Sequence, residues 1–324
     1  MTCFRPIAQT DPARPRGALT LAGGWCWFAF VEVIERGHRE VIAAAELPED
    51  MRARLTAQRP ALHGLGWDMP RIMGIVNATP DSFSDGGSYD PVAQARAIAV
   101  DADLLDIGGE STRPGAATVP VEEEIARIRP VMAALQGLCP LSIDTRKAPV
   151  AAASGAQMVN DVSAMLYDPD MAATVARMGA SVCLMHAQGA PETMQDDPRY
   201  DDVLLDVYAH LEERIAAAEA AGIPRARIVV DPGIGFGKTQ AHNLALIRGL
   251  SAFHGLGCPI LLGVSRKGFI GRIGAAERPA DRMPGSVAVG LAGVAQGAQI
   301  LRVHDVGATR QALALWMAST KGTI

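Results

Sequence analysis

Aromatic residues are scarce in this chain, with 4 Trp, 4 Tyr and 7 Phe among 324 residues. With so few, and with Ala, Val, Leu and Gly abundant, the composition suits layered α/β packing better than an all-β sandwich. The cysteines (Cys3, Cys26, Cys139, Cys183, Cys258) are odd in number and scattered, without a CxxC pair or a Cys/His cluster. Neither a disulfide framework nor a zinc site is indicated, and reduced thiols in the cytoplasm are expected. There is no basic surplus either. At a formal charge of −5 the chain has no electrostatic footprint for DNA or RNA. An anionic small molecule stays open as a substrate, because a few local cations suffice for it. The apolar stretch Ala22 to Val33 is too short to span a bilayer and lacks a signal-peptide layout. The expectation is a cytoplasmic protein that binds neither nucleic acid nor membrane.

What the sequence does contain is regular from Arg71 onward. Short apolar runs alternate with Ala-rich amphipathic stretches, the signal for βα units and a parallel sheet. The runs are Ile72–Val76, Leu104–Ile107, Leu141–Ile143, Met158–Val159, Ser181–Met185, Ile228–Val230, Ile260–Gly263 and Ile300–Val303. Asp90-Pro91 marks a helix start, Pro120 with Glu122, Glu123 and Glu124 marks another, and Gly222 before Pro224 ends a long helix beginning near Asp201. Eight such units match a (β/α)8 TIM barrel. A doubly wound open sheet is the competitor. It would carry GxGxxG after the first strand, where this chain has Val76-Asn77-Ala78-Thr79-Pro80.

Residues 1–68 read differently. Gly17 to Gly37 is strand-like, Leu47 to Gln58 is helical with Pro48 at its start, and no polar constellation suggests chemistry. The expected organisation is an accessory N-terminal extension over 1–68 and a catalytic barrel domain over 69–324.

Polar residues follow each run: Asn77, then Asp106 and Glu110, Asp144, Asn160-Asp161, His186, Asp231, Ser265-Arg266-Lys267, and Arg302 with His304. Barrel strand ends converge on one face, where barrel enzymes place their active sites. A lone Asp after a strand is most often a cap or turn residue; polar ends on strand after strand are harder to explain that way. Asp144, Asn160 and Asp231 suit the donor edge of a flat nitrogen heterocycle, and Lys267, Arg302 and His304 suit phosphate oxygens or a carbonyl. Together they suggest a phosphorylated heterocyclic substrate. No base–nucleophile pair is visible, so electrostatic stabilisation of a leaving group is favoured over covalent catalysis.

Two long Gly/Pro-rich segments, Asn77 to Tyr89 and Gly108 to Pro120, are candidate lids. Gly235-Phe236-Gly237-Lys238-Thr239 looks like the end of a nucleotide-binding P-loop. Its first glycine is out of register, however, with Pro232 at the required position, so an ATPase reading is rejected.

Read in order, Met73 to Gly87, Asp106 to Gly115, Ser142 to Thr145, Asn160-Asp161, Cys183 to His186, Asp231 to Lys238, Ser265 to Lys267 and Arg302 to Asp305 closely resemble the motifs of dihydropteroate synthase, over about Arg71 to Trp316. The resemblance implies condensation of 6-hydroxymethyl-7,8-dihydropterin diphosphate with 4-aminobenzoate, giving 7,8-dihydropteroate and diphosphate with Mg²⁺, commonly by a homodimer. Carried over residue by residue, it implies that Asp144, Asn160, Asp231 and Lys267 hold the pterin. Asn77, Thr112, Arg302 and His304 would engage the diphosphate, with Asn77 as the protein ligand to Mg²⁺. Arg113 and residues Thr79 to Gly86 would close over the site. Phe83, Pro114, Phe236 and Ser265 would surround the aminobenzoate, with Met185 also near the bound rings. Asn77, Thr112, Arg113, Arg302 and His304 are thereby the expected catalytic set. Ala78 departs from the family's usual valine, a change of packing rather than chemistry. The rivals are a pterin-binding methyltransferase domain and a non-catalytic paralogue; the first should lack Ser111–Pro114, Ser265–Lys267 and Arg302–His304 together.

Overall fold

The computed structural model describes residues 1–78, 90–111, 118–189 and 193–321. Before the barrel come β1 (Cys3–Pro6), β2 (Leu19–Thr20), β3 (Trp27–Phe28), β4 (Phe30–Glu35), β5 (His38–Ala43) and α1 (Glu49–Thr56). β4 lies between β1 and β5 in an antiparallel sheet, and β2 pairs with β3. The helix starts just after Pro48, as expected. β1 and β5 were not anticipated: Cys-Phe-Arg-Pro is short, and His-Arg-Glu-Val-Ile-Ala begins with three polar residues and has no strand-like alternation. Both exist because β4 supplies a ladder partner, a tertiary cause that local propensity does not contain.

This N-terminal part is fastened to the barrel by apolar packing and by specific hydrogen bonds. Phe28, Val31, Ile34 and Leu55 share one buried cluster with barrel residues such as Leu250 and Phe253. Trp25 Nε1 donates to the Val294 carbonyl (2.8 Å), Ser251 Oγ to Pro6 (2.7 Å) and Arg59 Nη2 to His254 (2.9 Å). Leu62 and Trp67 pack beneath the barrel interior, against Met73, Leu104, Met158, Cys183, Val229, Leu261 and Ile300.

The apolar runs form β6 (Arg71–Asn77), β7 (Leu104–Gly108), β8 (Leu141–Asp144), β9 (Met158–Asp161), β10 (Ser181–Met185), β11 (Ile228–Asp231), β12 (Leu261–Leu262) and β13 (Ile300–Val303). They make one eight-stranded sheet in the order β11-β10-β9-β8-β7-β6-β13-β12. Neighbouring strands within it pair in parallel, and a Val230–Ile260 bridge joins β11 to the start of β12, closing the barrel. Helices α2 (Pro91–Ala99), α3 (Val121–Leu135), α4 (Ala148–Ser154), α5 (Met171–Met178), α6 (Val203–Ala220), α7 (Gln240–Arg248), α8 (Gly268–Ile273), α9 (Met283–Val294) and α10 (Val306–Lys321) follow the strands. Asp90 caps α2 by accepting from Val92 N (2.8 Å), with Pro91 as its first residue. No helix among the described residues is long and apolar enough to cross a membrane.

The two-residue period of a strand positions the site. Inward positions run Met73, Ile75, Asn77 on β6, Leu104 then Asp106 on β7, and Ser142 then Asp144 on β8. They continue as Met158 then Asn160 on β9, Cys183 then Met185 on β10, Val229 then Asp231 on β11, and Ile300 then Arg302 on β13. Apart from Ser142, the lower members form an apolar layer, and most upper members face a cavity at the C-terminal ends of the strands.

Candidate active site

That cavity encloses about 590 Å³. It is lined by Asn77, Asp144, Asn160, Met185, Asp231, Phe236, Ser265, Lys267, Arg302 and His304, bringing together strand ends that are far apart in sequence. Thr112, Arg113, Pro114 and Phe83 lie outside the described residues, as do Thr79 to Gly86. His186 is absent from the lining. It is buried beside Lys238, whose Nζ lies 2.8 Å from its Nδ1.

The floor is an ion cluster. Arg302 donates from Nε to Asp106 Oδ2 (2.6 Å) and from Nη2 to Asp144 Oδ2 (2.7 Å). Asn160 Nδ2 donates to the same Asp106 oxygen (2.8 Å). Burial opposes charge on the guanidinium, yet the two carboxylates hold its pKa above the ordinary arginine value. Burial, helped by the charge of Asp106, lifts the Asp144 carboxyl to about 7 although Arg302 pulls the other way. No described protein group donates to Asp144 Oδ1, which is fully buried. A buried acceptor in that condition costs about 1–3 kcal/mol, a cost that a ligand N–H removes.

Beside it, Asp231 accepts from Gly233 N at Oδ1 (2.7 Å), and burial raises its pKa from the ordinary carboxylate value against the pull of Lys267. Burial also lowers Lys267 to about 8, opposed by Asp231. The Lys267 ammonium donates to the Ile234 carbonyl and lies 4.6 Å from the centre of the Phe236 ring, a cation–π contact. The turn carrying Asp231 and Phe236 requires glycine. At Gly233 φ is +68°, and a Cβ would sit 1.8 Å from the His186 carbonyl oxygen. Lys238 then ties this turn down, donating to Phe236 O at 2.9 Å and to His186 O at 3.2 Å.

Ser265 and Lys267 both reach the cavity because Arg266 between them takes φ +56°, a conformation unfavourable for a residue with a Cβ. Arg266 is held there by a two-point pair with Asp305 (2.9 and 2.5 Å) and by its N–H donating to Ser286 Oγ (2.8 Å). The His304 N–H donates to Ser265 Oγ (3.1 Å), and the ring Nδ1 lies 3.0 Å from the same oxygen, so the serine holds the imidazole by its Nδ1 edge.

A second network flanks residues 112–117. Lys147 Nζ lies 2.6 Å from Glu110, Glu124 and the Val119 carbonyl, and Val119 N donates to Glu110 (2.7 Å). Burial opposes charge on Lys147, but the hydrogen bonds it donates to Glu110 and Glu124 outweigh this and raise its pKa, so the lysine stays charged. Residues 110 and 119 are thus fixed to the same ammonium.

Sequence reasoning gave Asp106 no role beyond being polar at a strand end, and it did not find Lys147, Lys238 or Asp305 as supports. For Asp106 a signal was present: it sits two residues above Leu104, on the inward face of a strand. For the other three, the partner side chains are remote in sequence and nothing local marks the pairing.

This fold and site define a barrel enzyme with a pterin-type pocket. Residues 73–304 match the family model described as pterin binding enzyme. The chain is 47% identical over 268 residues to the dihydropteroate synthase of Neisseria meningitidis serogroup B, covering 78% of this chain and 94% of that one. It superposes with a TM-score of 0.75 and 48% identity on Xanthomonas albilineans dihydropteroate synthase solved with 4-aminobenzoic acid, covering 81% of this chain and 98% of that one. The same enzyme in complex with 7,8-dihydropteroate gives a TM-score of 0.72 at 45% identity, covering 81% of this chain and 98% of that one. The chain belongs to the pterin binding enzymes and, among them, to the dihydropteroate synthase family.

Proposed function

We infer that the protein condenses 6-hydroxymethyl-7,8-dihydropterin diphosphate with 4-aminobenzoate, forming 7,8-dihydropteroate and diphosphate for folate biosynthesis in the described cavity. The observation that carries this reading is the buried row of acceptors, Asp144, Asn160 and Asp231, set beside Lys267 and Arg302 at the strand ends. Relatives solved with 4-aminobenzoic acid and with 7,8-dihydropteroate support the substrate classes.

In this reading Asp144 Oδ1, Asn160 and Asp231 accept the N–H groups of the pterin, and Lys267 donates to its carbonyl side. The diphosphate lies toward Asn77, Thr112, Arg302 and His304. The bond between the exocyclic methylene carbon and the diphosphate oxygen breaks, and its electron pair leaves with the diphosphate. The pterin-methyl cation left behind is stabilised by its ring nitrogens, and the arylamine nitrogen then forms the new C–N bond and loses a proton to solvent. Fixed cations aimed at the departing charge lower the barrier without a strong general base. Phe83, Pro114, Phe236 and Ser265 are assigned to the aminobenzoate side, and Arg113 to closing over the site.

The donor set fits Mg²⁺. Asn77 ends β6 on the same cavity rim as His304 and offers one hard amide oxygen, and Mg²⁺ commonly takes one or two protein oxygens with substrate phosphates and water completing its shell. When bound, the ion neutralises diphosphate charge. A homodimeric, cytoplasmic enzyme completes the proposal.

Asp231→Ala tests the pterin placement. Loss of a charged acceptor costs about 1.5–3 kcal/mol, so KM for the pterin diphosphate should rise about 10- to 150-fold. KM for 4-aminobenzoate should stay within about twofold. An unchanged pterin KM in the folded variant would remove Asp231 from the pterin site.

A further inference from the structure

Asp106 is the residue on which two cavity groups converge, and it does not itself line the cavity. It is fully buried at the inward position above Leu104, and its single Oδ2 accepts from both Asn160 Nδ2 and Arg302 Nε. A carboxylate offers acceptors and no donor. The edge of the Asn160 amide that meets Asp106 must therefore be its NH2, and the opposite edge, the carbonyl oxygen, is turned toward the cavity. An asparagine amide has no intrinsic preference between these two settings, because rotation by half a turn exchanges them in nearly the same volume. The same oxygen also holds the guanidinium of Arg302 at Nε, while Asp144 holds it at Nη2, so the planar group is fixed at two points.

We propose that Asp106 is a positioning residue that sets the donor–acceptor pattern of the pterin pocket: it locks Asn160 with its acceptor edge toward the ligand and fixes the plane of Arg302. The inference rests on the pterin placement proposed above. Its consequence is specific to one substrate. Replacing Asp106 by leucine removes the one acceptor that Asn160 Nδ2 and Arg302 Nε share, so the Asn160 amide loses the group that holds its NH2 away from the ligand, and a donor can turn toward the donor edge of the pterin. The isosteric amide keeps the lock, because its carbonyl oxygen at the Oδ2 position accepts from both groups.

The D106L variant of the full chain should raise KM for the pterin diphosphate about tenfold or more, the effect of misdirecting a buried amide. KM for 4-aminobenzoate should stay within about twofold. D106N should return pterin KM to within about threefold of the parent, since one carbonyl oxygen serves both donors. A role in packing alone predicts a lower melting temperature with both KM values unchanged. Either a folded D106L with the parental pterin KM or a D106N as impaired as D106L overturns the proposal. If D106L does not fold, D106N decides: it must fold and bind pterin diphosphate normally, and failure on either count overturns the idea. Asp231→Ala, measured alongside, separates the two layers. If it too leaves pterin KM unmoved, the pterin placement fails; if it alone raises KM, only the role of Asp106 falls.

Discussion

Arg302→Ala should lower kcat/KM for the pterin diphosphate by about 10²- to 10³-fold, the usual cost of removing one preorganised donor from a developing negative charge. The effect should fall mainly on kcat, since the guanidinium is assigned to charge that appears as diphosphate departs. The same change also strands two carboxylates. Asp106 has no exposed surface and Asp144 is 6% exposed. Breaking a buried pair by removing one partner costs about 3–5 kcal/mol, so thermal unfolding should come at markedly lower temperature. Binding of pterin product below the melting transition distinguishes the two losses. Arg302→Lys should restore part of the stability and little of the rate, because one ammonium cannot reproduce the planar two-point contact to Asp106 and Asp144. Parental kcat in Arg302→Ala would remove the residue from the catalytic set.

Deleting residues 1–56 should leave a barrel that does not stay soluble. The deletion removes Phe28, Val31, Ile34 and Leu55, each fully buried, from a cluster they share with Leu250 and Phe253. Each such side chain contributes about 1.5–3 kcal/mol by burial, as an upper estimate. Domains hold only about 5–15 kcal/mol in total. The shortened chain would also expose the apolar turn at Leu250–Leu256. Soluble yield and size-exclusion profile are the readouts. A monodisperse truncated protein with the parental melting temperature would show that the N-terminal part is a passenger rather than a component of the core.

The barrel was legible because each of its strands is buried on both faces and therefore reads as an apolar run. Ile300–Val303 coincides with β13, and Ser181–Met185 with β10. The polar residues Asn77, Asp144, Asn160, Asp231 and Arg302 were legible for the same reason, being inward positions above the apolar layer, whereas His186 follows its strand and does not line the cavity. What could not be read was pairing. Asp106 and Arg302 meet across 196 residues of sequence, and Lys147 joins Glu110 to Glu124 from 37 and 23 residues away. The plug formed by Leu62 and Trp67 was hidden similarly: in sequence it belongs to the N-terminal part, yet its side chains pack under the barrel interior. Periodicity reports which way a side chain faces; it does not report which remote group it faces.

The most direct test of the account is diphosphate release by the purified full-length protein, measured with 6-hydroxymethyl-7,8-dihydropterin diphosphate, with and without 4-aminobenzoate and Mg²⁺, in parallel with Arg302→Ala. The expected result is 7,8-dihydropteroate and diphosphate in equal amounts, formed only when both substrates and Mg²⁺ are present and reduced at least about 100-fold by the substitution. Absence of dihydropteroate from the parent protein under saturating substrates and Mg²⁺ would contradict it.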